Sequence, residues 1–415
     1  MQTEFDWTAR AVAPGLDALR EDLAEAVRQG RLVADEIALE QTAAKSLPRY
    51  TGEFWTAKQR AGHSLHELSY RACFKPQLPR FFIDALTAPG DVVLDPFGGR
   101  GTTALEAVLA DRRAITSDLN PLSRVLVEPR LDPPSLDAVE AALASLPAPK
   151  DEDLPEELLV FFHRETLAEL CALRRYWMDK GESLTAAERW IRMVATNRLT
   201  GHSPGFFSVY SMPPNQAVSV QSQRRINMRR NQTPPCRDVK ALIARKTRAL
   251  LRDVAGAPPG RFAPEAQVHV CSADALVPVP SGTVDLVVTS PPFLDVVDYV
   301  GDNWLRNWFN GLEIDRKELW VTPRLDSWED LITRALRELR RVLRPGGLVA
   351  FEVGDVRQAA LEDAVARAGL AAGLPPRLLL INAQDFTKTA HCWGVDNRSK
   401  GTNTNRILLL ERPSR

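Results

Sequence analysis

The run Val92-Val-Leu-Asp-Pro-Phe-Gly-Gly-Arg-Gly-Thr-Thr103 constrains this chain more than any other stretch. Its three apolar residues predict a short buried strand closed by Asp95. Gly98, Gly99 and Gly101 then permit a tight turn whose backbone can come close to a ligand, and a helix starting at Thr102 carries the chain back. Strand, glycine turn and helix together make a nucleotide cradle. A phosphate loop would need Gly-Lys-Ser/Thr, which is absent. Gly98-Gly-Arg-Gly also lacks the GxGxxG spacing of dinucleotide sites, so a dehydrogenase is the least favoured enzyme class.

The Asp95-Pro96-Phe97 that leads into the turn resembles the S-adenosylmethionine loop of class I methyltransferases. It is closest to that of the amino-methylating DNA enzymes, where the motif commonly reads Asp-Pro-Phe-x-Gly-x-Gly-Thr-Thr. The resemblance implies S-adenosylmethionine as cofactor, held by Asp95, Pro96, Phe97, Gly98, Gly99, Gly101 and Thr102. Upstream, His66 to Leu86 resembles the segment that precedes the cofactor loop in permuted amino-methyltransferases. By that likeness the backbone near Phe74, Lys75 and Pro76 lines the methionine end of the cofactor; a capping turn with Pro79 in the first helical turn also accounts for the pattern. Trp55, His63 and His66 read as structural residues.

Past the loop, Ala114-Ile-Thr-Ser-Asp118 predicts a second strand ending in an acid, followed by Leu119 and Asn120. A carboxylate there can accept both ribose hydroxyls of a nucleoside, two oxygens facing two donors. Val268 to Asp274 predicts a third strand whose trailing acid meets the adenine, and Val284 to Thr289 a fourth. A helix over 329–343, the turn Arg344-Pro-Gly-Gly347 and a strand over 348–353 again resemble class I methyltransferases. Strands over 378–381 and 406–411 complete an α/β fold, an open and mostly parallel seven-stranded sheet with helices on both faces. Such sheets bind ligands beyond the carboxyl ends of their strands.

Thr289 is followed by Ser290-Pro291-Pro292-Phe293, which resembles the catalytic tetrad of DNA amino-methyltransferases; the serine form is typical of enzymes acting on the N4 amine of cytosine. An exocyclic amine gives its lone pair to the ring and is a poor nucleophile. Hydrogen-bond acceptors for both its N–H groups, the Ser290 hydroxyl and a Ser290 or Pro291 carbonyl, favour a pyramidal nitrogen aimed at the methyl group. Prolines at 291 and 292 fix those acceptors. Phe293 would stack on a base flipped from the duplex, and Tyr299 and Trp304 are placed either to wall the pocket or to pack in the core, which explains aromatic residues at this spacing equally well. The cofactor loop precedes the tetrad, whereas serine-type cytosine enzymes more often begin with the tetrad. An adenine-N6 enzyme, or an RNA amino-methyltransferase, therefore stays an alternative. A DNA-recognition subunit with an inert methyltransferase fold is disfavoured by the intact loop and tetrad.

Between the two halves the strand rhythm stops. The expected organisation is a helical accessory region (1–60, with Leu16, Leu19, Leu23, Ala26 and Val27 on one face), a cofactor half (61–130), an inserted target-recognition region (131–265) and a catalytic half (266–415). The chain has 53 Lys+Arg against 53 Asp+Glu, so attraction to double-stranded DNA must come from local clustering. Residues 222–261 supply it, with eleven Arg and Lys against Asp238 and Asp253. Arg224, Arg225, Arg229, Arg230, Asn231 and Gln232 are the expected DNA contacts, although a solvated helix face would look similar. The five cysteines lack CxxC spacing, which argues against a zinc site or disulfide framework and fits a reducing cytoplasm; the resemblance implies a prokaryotic cytoplasm, near the nucleoid. Cys236, after Pro234-Pro235, is the thiol a cytosine-C5 mechanism would use, but it lies in the basic insertion rather than at a strand end. With no leader and no long apolar run, neither secretion nor a membrane span is expected. The resemblance further implies restriction-modification or epigenetic marking, with any cognate endonuclease acting separately, and leaves the oligomeric state open.

Overall fold

The computed structural model describes residues 14–38, 46–55, 62–71, 73–149, 154–213, 216–256, 262, 265–294, 297–316, 319–354, 361–383 and 404–414. Its centre is one nine-stranded sheet: β1 (Leu32–Ile37), β2 (Leu47–Gly52), β3 (Val92–Asp95), β4 (Arg113–Ser117), β5 (Gln267–His269), β6 (Val284–Thr289), β7 (Leu343–Val353), β8 (Pro376–Asn382) and β9 (Asn405–Glu411). The spatial order is β1-β2-β8-β9-β7-β6-β3-β4-β5. β7, β6, β3, β4 and β5 run parallel, while β9 is antiparallel to both its neighbours.

Both faces of the sheet are covered, which is why β3 and β6 are nearly continuous apolar runs. On β3, Val93 enters one core with the helices Gln77–Leu86, Thr102–Leu109 and Leu122–Leu131; Val92 and Leu94 enter a second core with the helices Leu325–Val342 and Leu361–Ala372. The period-2 alternation of a strand sends successive side chains to the two layers.

All seven expected strands are present, and among the described residues the number is nine. The two additional strands come from the region expected to be purely helical. Leu16–Arg28 is a helix with Leu19, Leu23 and Ala26 buried, but β1 and β2 follow it as an antiparallel pair, and β2 adds in parallel to β8. Four successive positions of β1, Val33 to Glu36, are exposed, so no alternation marked it as a strand; main-chain pairing holds it in place. β5 is shorter than expected, ending at His269 rather than Asp274.

The described part of residues 131–265, the region expected to be an insertion, is mostly helical, with helices Leu136–Ser145, Arg164–Lys180, Ala186–Arg198, Val220–Arg230 and Val239–Leu250. The capping box expected from Thr185-Ala-Ala-Glu188 is formed. Trp177, Trp190, Phe161 and Phe162 are fully buried in the same core as Val93 and Val288, so the insertion shares its interior with one face of the sheet. Among the described residues no helix is long and apolar enough to cross a membrane.

Candidate active site

The glycine turn is fixed by close packing. A Cβ at Gly98 would lie 2.2 Å from Thr116 Oγ1, and one at Gly101, where φ is +74°, would lie 2.6 Å from Val127. Gly98 N donates to Ser117 O at 2.8 Å, and Gly101 N to Gly98 O at 2.6 Å. Behind the turn, the fully buried Arg130 guanidinium donates to the carbonyls of Arg100, Leu126 and Leu65. Burial and the nearby Arg100 pull its pKa down to about 9. Arg100 in turn donates to Leu68 O at 2.9 Å, tying in the segment that carries Tyr70.

Two carboxylates, the buried Asp95 and the half-buried Asp118, stand at adjacent strand tips. Asp95 Oδ1 accepts from Thr289 Oγ1 at 2.6 Å and from Phe97 N at 3.1 Å. Burial nevertheless pushes its pKa up to about 6. Asp118 accepts from Gly99 N at 2.7 Å through one oxygen and from Asn120 N at 2.8 Å through the other. Burial raises its pKa as well. Each Asp118 oxygen keeps a second acceptor position. Asn120 Oδ1 accepts from Leu122 N at 3.0 Å, whereas its Nδ2 is buried with no partner among the described residues.

Asp118, Asn120 and Leu119 line one end of a cleft of about 630 Å³. Pro96, Phe97, Gly99, Ala273 and Tyr70 line its flanks, and Ser290, Pro292, Tyr299, Leu319 and Trp320 complete the wall. An adjoining hollow of about 300 Å³ adds Phe74, Asp95, Gly98 and Thr102 and again touches Ser290. The glycine turn and Ser290 therefore share one cavity. Neither Lys75 nor Pro76 lines these cavities; Pro76 caps the helix Gln77–Leu86. Asp274 does not line them either. Its carboxylate accepts from Ser272 Oγ at 2.6 Å and Arg334 Nε at 2.9 Å, and Ala273 faces the cleft in its place.

Around the tetrad the decisive contacts come from far along the chain. Ser290 Oγ donates to Glu352 Oε2 on β7, and the other oxygen of Glu352 accepts from Asn405 Nδ2 of β9 at 2.9 Å. Glu352 is buried, and that burial raises its pKa against these two hydrogen bonds. The Trp328 indole donates to Pro292 O at 2.7 Å. Pro291 is buried. The Phe293 ring packs against Gly354 and the second apolar core, so it does not line the cleft where a base-stacking role would place it. Aromatic walls come instead from Tyr70, Phe97, Tyr299 and Trp320, with Phe97 and Trp320 edge to face at 5.4 Å. Trp304 turns away, donating to Val218 O at 3.2 Å.

His66 pairs with Glu106 at 2.6 Å inside the core, and desolvation lowers its pKa; its place is structural. The Cys236 thiol is exposed and donates to Glu165, which raises its pKa, the wrong direction for a nucleophile. The basic cluster divides in two. Lys246 pairs with Glu67, Arg248 with Glu140, and Arg252 with Asp253 and Glu67. Arg224, Arg225, Arg229, Arg230 and Asn231 lie exposed on or just after Val220–Arg230. Gln232 is committed to the protein, donating to Tyr210 O at 3.0 Å. Arg261 lies outside the described residues.

Residues 24–123 match the N6/N4-type family model described as DNA methylase. The matched stretch carries Asp95, the glycine turn, Asp118 and Asn120, and stops before the tetrad. A stretch of 53 residues is 43% identical to the type II methyltransferase M.PvuII of Proteus hauseri, covering 13% of this chain and 16% of that enzyme. Among solved structures, TrmN of Thermus thermophilus is 15% identical over 82% of this chain and 50% of its own, with a TM-score of 0.31. A TehB-like S-adenosylmethionine-dependent methyltransferase of Corynebacterium glutamicum is 10% identical over 80% of this chain and 86% of its own, at 0.30. Scores that low carry no argument, and the α/β fold rests on the strand order and register above.

Proposed function

We propose that this chain transfers a methyl group from S-adenosylmethionine to the exocyclic N4 amine of a cytosine flipped out of duplex DNA. The observation that carries the reading is the single cleft joining the glycine turn, Asp118 and Ser290. The cofactor half fits a nucleoside: Asp118 has acceptor positions for ribose hydroxyls, and the unpartnered Asn120 Nδ2 is a buried donor beside them. Gly98, Gly99, Phe97, Phe74 and Thr102 would flank the rest of the cofactor, which when bound supplies an electrophilic methyl group.

Ser290 is suited to hold the amine. Its hydroxyl proton is given to Glu352, so the oxygen lone pairs are left to accept an amine N–H. The prolines and the Trp328 indole keep the loop backbone in one conformation. As the amine is methylated it must lose a proton, and Ser290 Oγ can pass it to Glu352. A raised carboxylate pKa makes Glu352 a better acceptor near neutral pH. Tyr299, Tyr70 and Trp320 offer rings for the extruded base, offsetting an extrusion cost of a few kcal/mol. The exposed arginines of Val220–Arg230 supply phosphate attraction that a chain of zero net charge otherwise lacks. Such an enzyme would mark DNA epigenetically or against a cognate endonuclease.

The test is digestion of treated duplex DNA to nucleosides followed by mass spectrometry. The wild type is expected to yield N4-methylcytosine. Ser290→Ala should yield at least about 100-fold less, with affinity for S-adenosylhomocysteine within about twofold of wild type. Equal product from both proteins overturns the role of Ser290, and N6-methyladenine in place of N4-methylcytosine overturns the base assignment.

A further inference from the structure

We propose that the helix Val220–Arg230 enters the major groove of the substrate duplex and reads base edges with the face formed by Gln221, Arg224, Arg225 and Met228. This rests on the DNA methyltransferase reading above and adds to it the residues that choose the sequence. Three observations lead there.

The first is how the helix is docked. Gln223 is buried and donates to Tyr210 O at 3.0 Å, and Asn227 donates to Val160 O at 2.8 Å. With 223 and 227 facing the protein, positions 221, 224, 225 and 228 point outward, three and four residues apart on one stripe. The second is charge. The neighbouring helix has its Lys246 and Arg248 neutralised by acids, whereas Arg224 and Arg229 have no acid within ion-pair distance among the described residues. Among the described residues Arg225 donates only to the Ser222 hydroxyl, at 3.3 Å, and Arg230 lies 3.9 Å over the Tyr210 ring. The third is Met228, 82% exposed amid four guanidinium groups. It contributes nothing to a core, but in a groove it matches the apolar methyl of thymine, while an arginine fork matches guanine O6 and N7.

Location agrees with this. The helix follows Ala217 and Val218, whose backbone bonds Asp302 O at 3.0 Å and the Trp304 indole at 3.2 Å. Tyr299, one turn before, lines the cleft. The N-terminal half of the helix is thus the half nearer the extruded base. Arg229 and Arg230, at the far end, take phosphates. An eleven-residue helix is about 16 Å long and fits a groove about 12 Å wide; the deep, narrow major groove of duplex RNA would exclude it.

The experiment expresses the full chain and its variants in cells without other DNA methylation and maps every modified position by sequencing. Arg224→Lys, which keeps charge but not the fork, and Met228→Ala should each still methylate, with about tenfold or greater loss of discrimination at one motif position. Arg229→Ala should lower modification at all sites alike and flatten its salt dependence. An unchanged motif in both Arg224→Lys and Met228→Ala, with thermal stability matching wild type, overturns the proposal and leaves the enzyme reading standing. A wild type that modifies RNA, or no nucleic acid at all, overturns both.

Discussion

The two ends of the cleft are built in different ways. At the cofactor end, Asp118 is aimed by the backbone of Gly99 and Asn120, and the turn packs on Thr116 and Val127, all within some thirty residues of one another. At the tetrad end, Ser290 is aimed by Glu352, Glu352 by Asn405, and Pro292 by Trp328, across three different elements. The first end is a largely local motif, tied to β6 through Asp95–Thr289 and Thr103–Val288. The second exists only once β6, β7, β9 and the helix Leu325–Val342 have assembled. Binding and chemistry are therefore separable by mutation.

The sharpest way to break that separation is Glu352→Gln, which keeps the shape but cannot take a proton. Turnover should fall by roughly 100-fold with little change in KM for the cofactor. The wild-type rate should also rise with pH through the raised Glu352 pKa, since only the ionised carboxylate accepts, and this limb should vanish in the variant. A variant that keeps the wild-type pH profile removes Glu352 from the proton path. Next in size, Asp118→Ala should weaken binding of S-adenosylhomocysteine by roughly 10- to 100-fold in calorimetry, because hydrogen bonds to a charged group contribute about 1.5–3 kcal/mol. Its turnover at saturating cofactor should stay within a few-fold; a collapse there would mean the two ends are coupled after all.

The smallest effect concerns Asp95. Its folded pKa of about 6 stands above the ordinary 3.8. For a raised acid, the stabilising contribution is complete below 3.8 and is lost as pH rises through about 6. Asp95→Asn should therefore flatten the decline of thermal midpoint across that window by a few degrees. An unchanged slope would show that Asp95 titrates normally.

The same local-versus-distant contrast explains what the sequence disclosed. β3, β4 and β6 are short apolar runs ending in polar residues, and the glycine turn follows at once, so the cofactor end was legible as a string. The tetrad was legible as a motif, but its support was not. Glu352 sits in Leu348-Val-Ala-Phe-Glu-Val353, and a lone acid within an apolar strand is the signal that could have found it, because a buried carboxylate needs partners. The motif places Phe293 on the base, yet its ring packs over Gly354 and against the second core. Asp274 lies off the cleft because β5 ends five residues before it, at His269. Counting charges in 222–261 overstated the free basic surface, since Glu67 and Glu140 lie outside that window. The exposed edge strand β1 and the half-buried β2 beside it carry no alternation to mark them in the sequence.

The Trp328 indole belongs to a helix on the side of the sheet away from the insertion, in the core that contains Ile332 and Leu336. Loosening that remote packing would let the proline loop drift without disturbing cofactor affinity. On the proposed function, substitutions at Ile332 or Leu336 would thus surface as slow turnover by a protein that still binds cofactor and DNA.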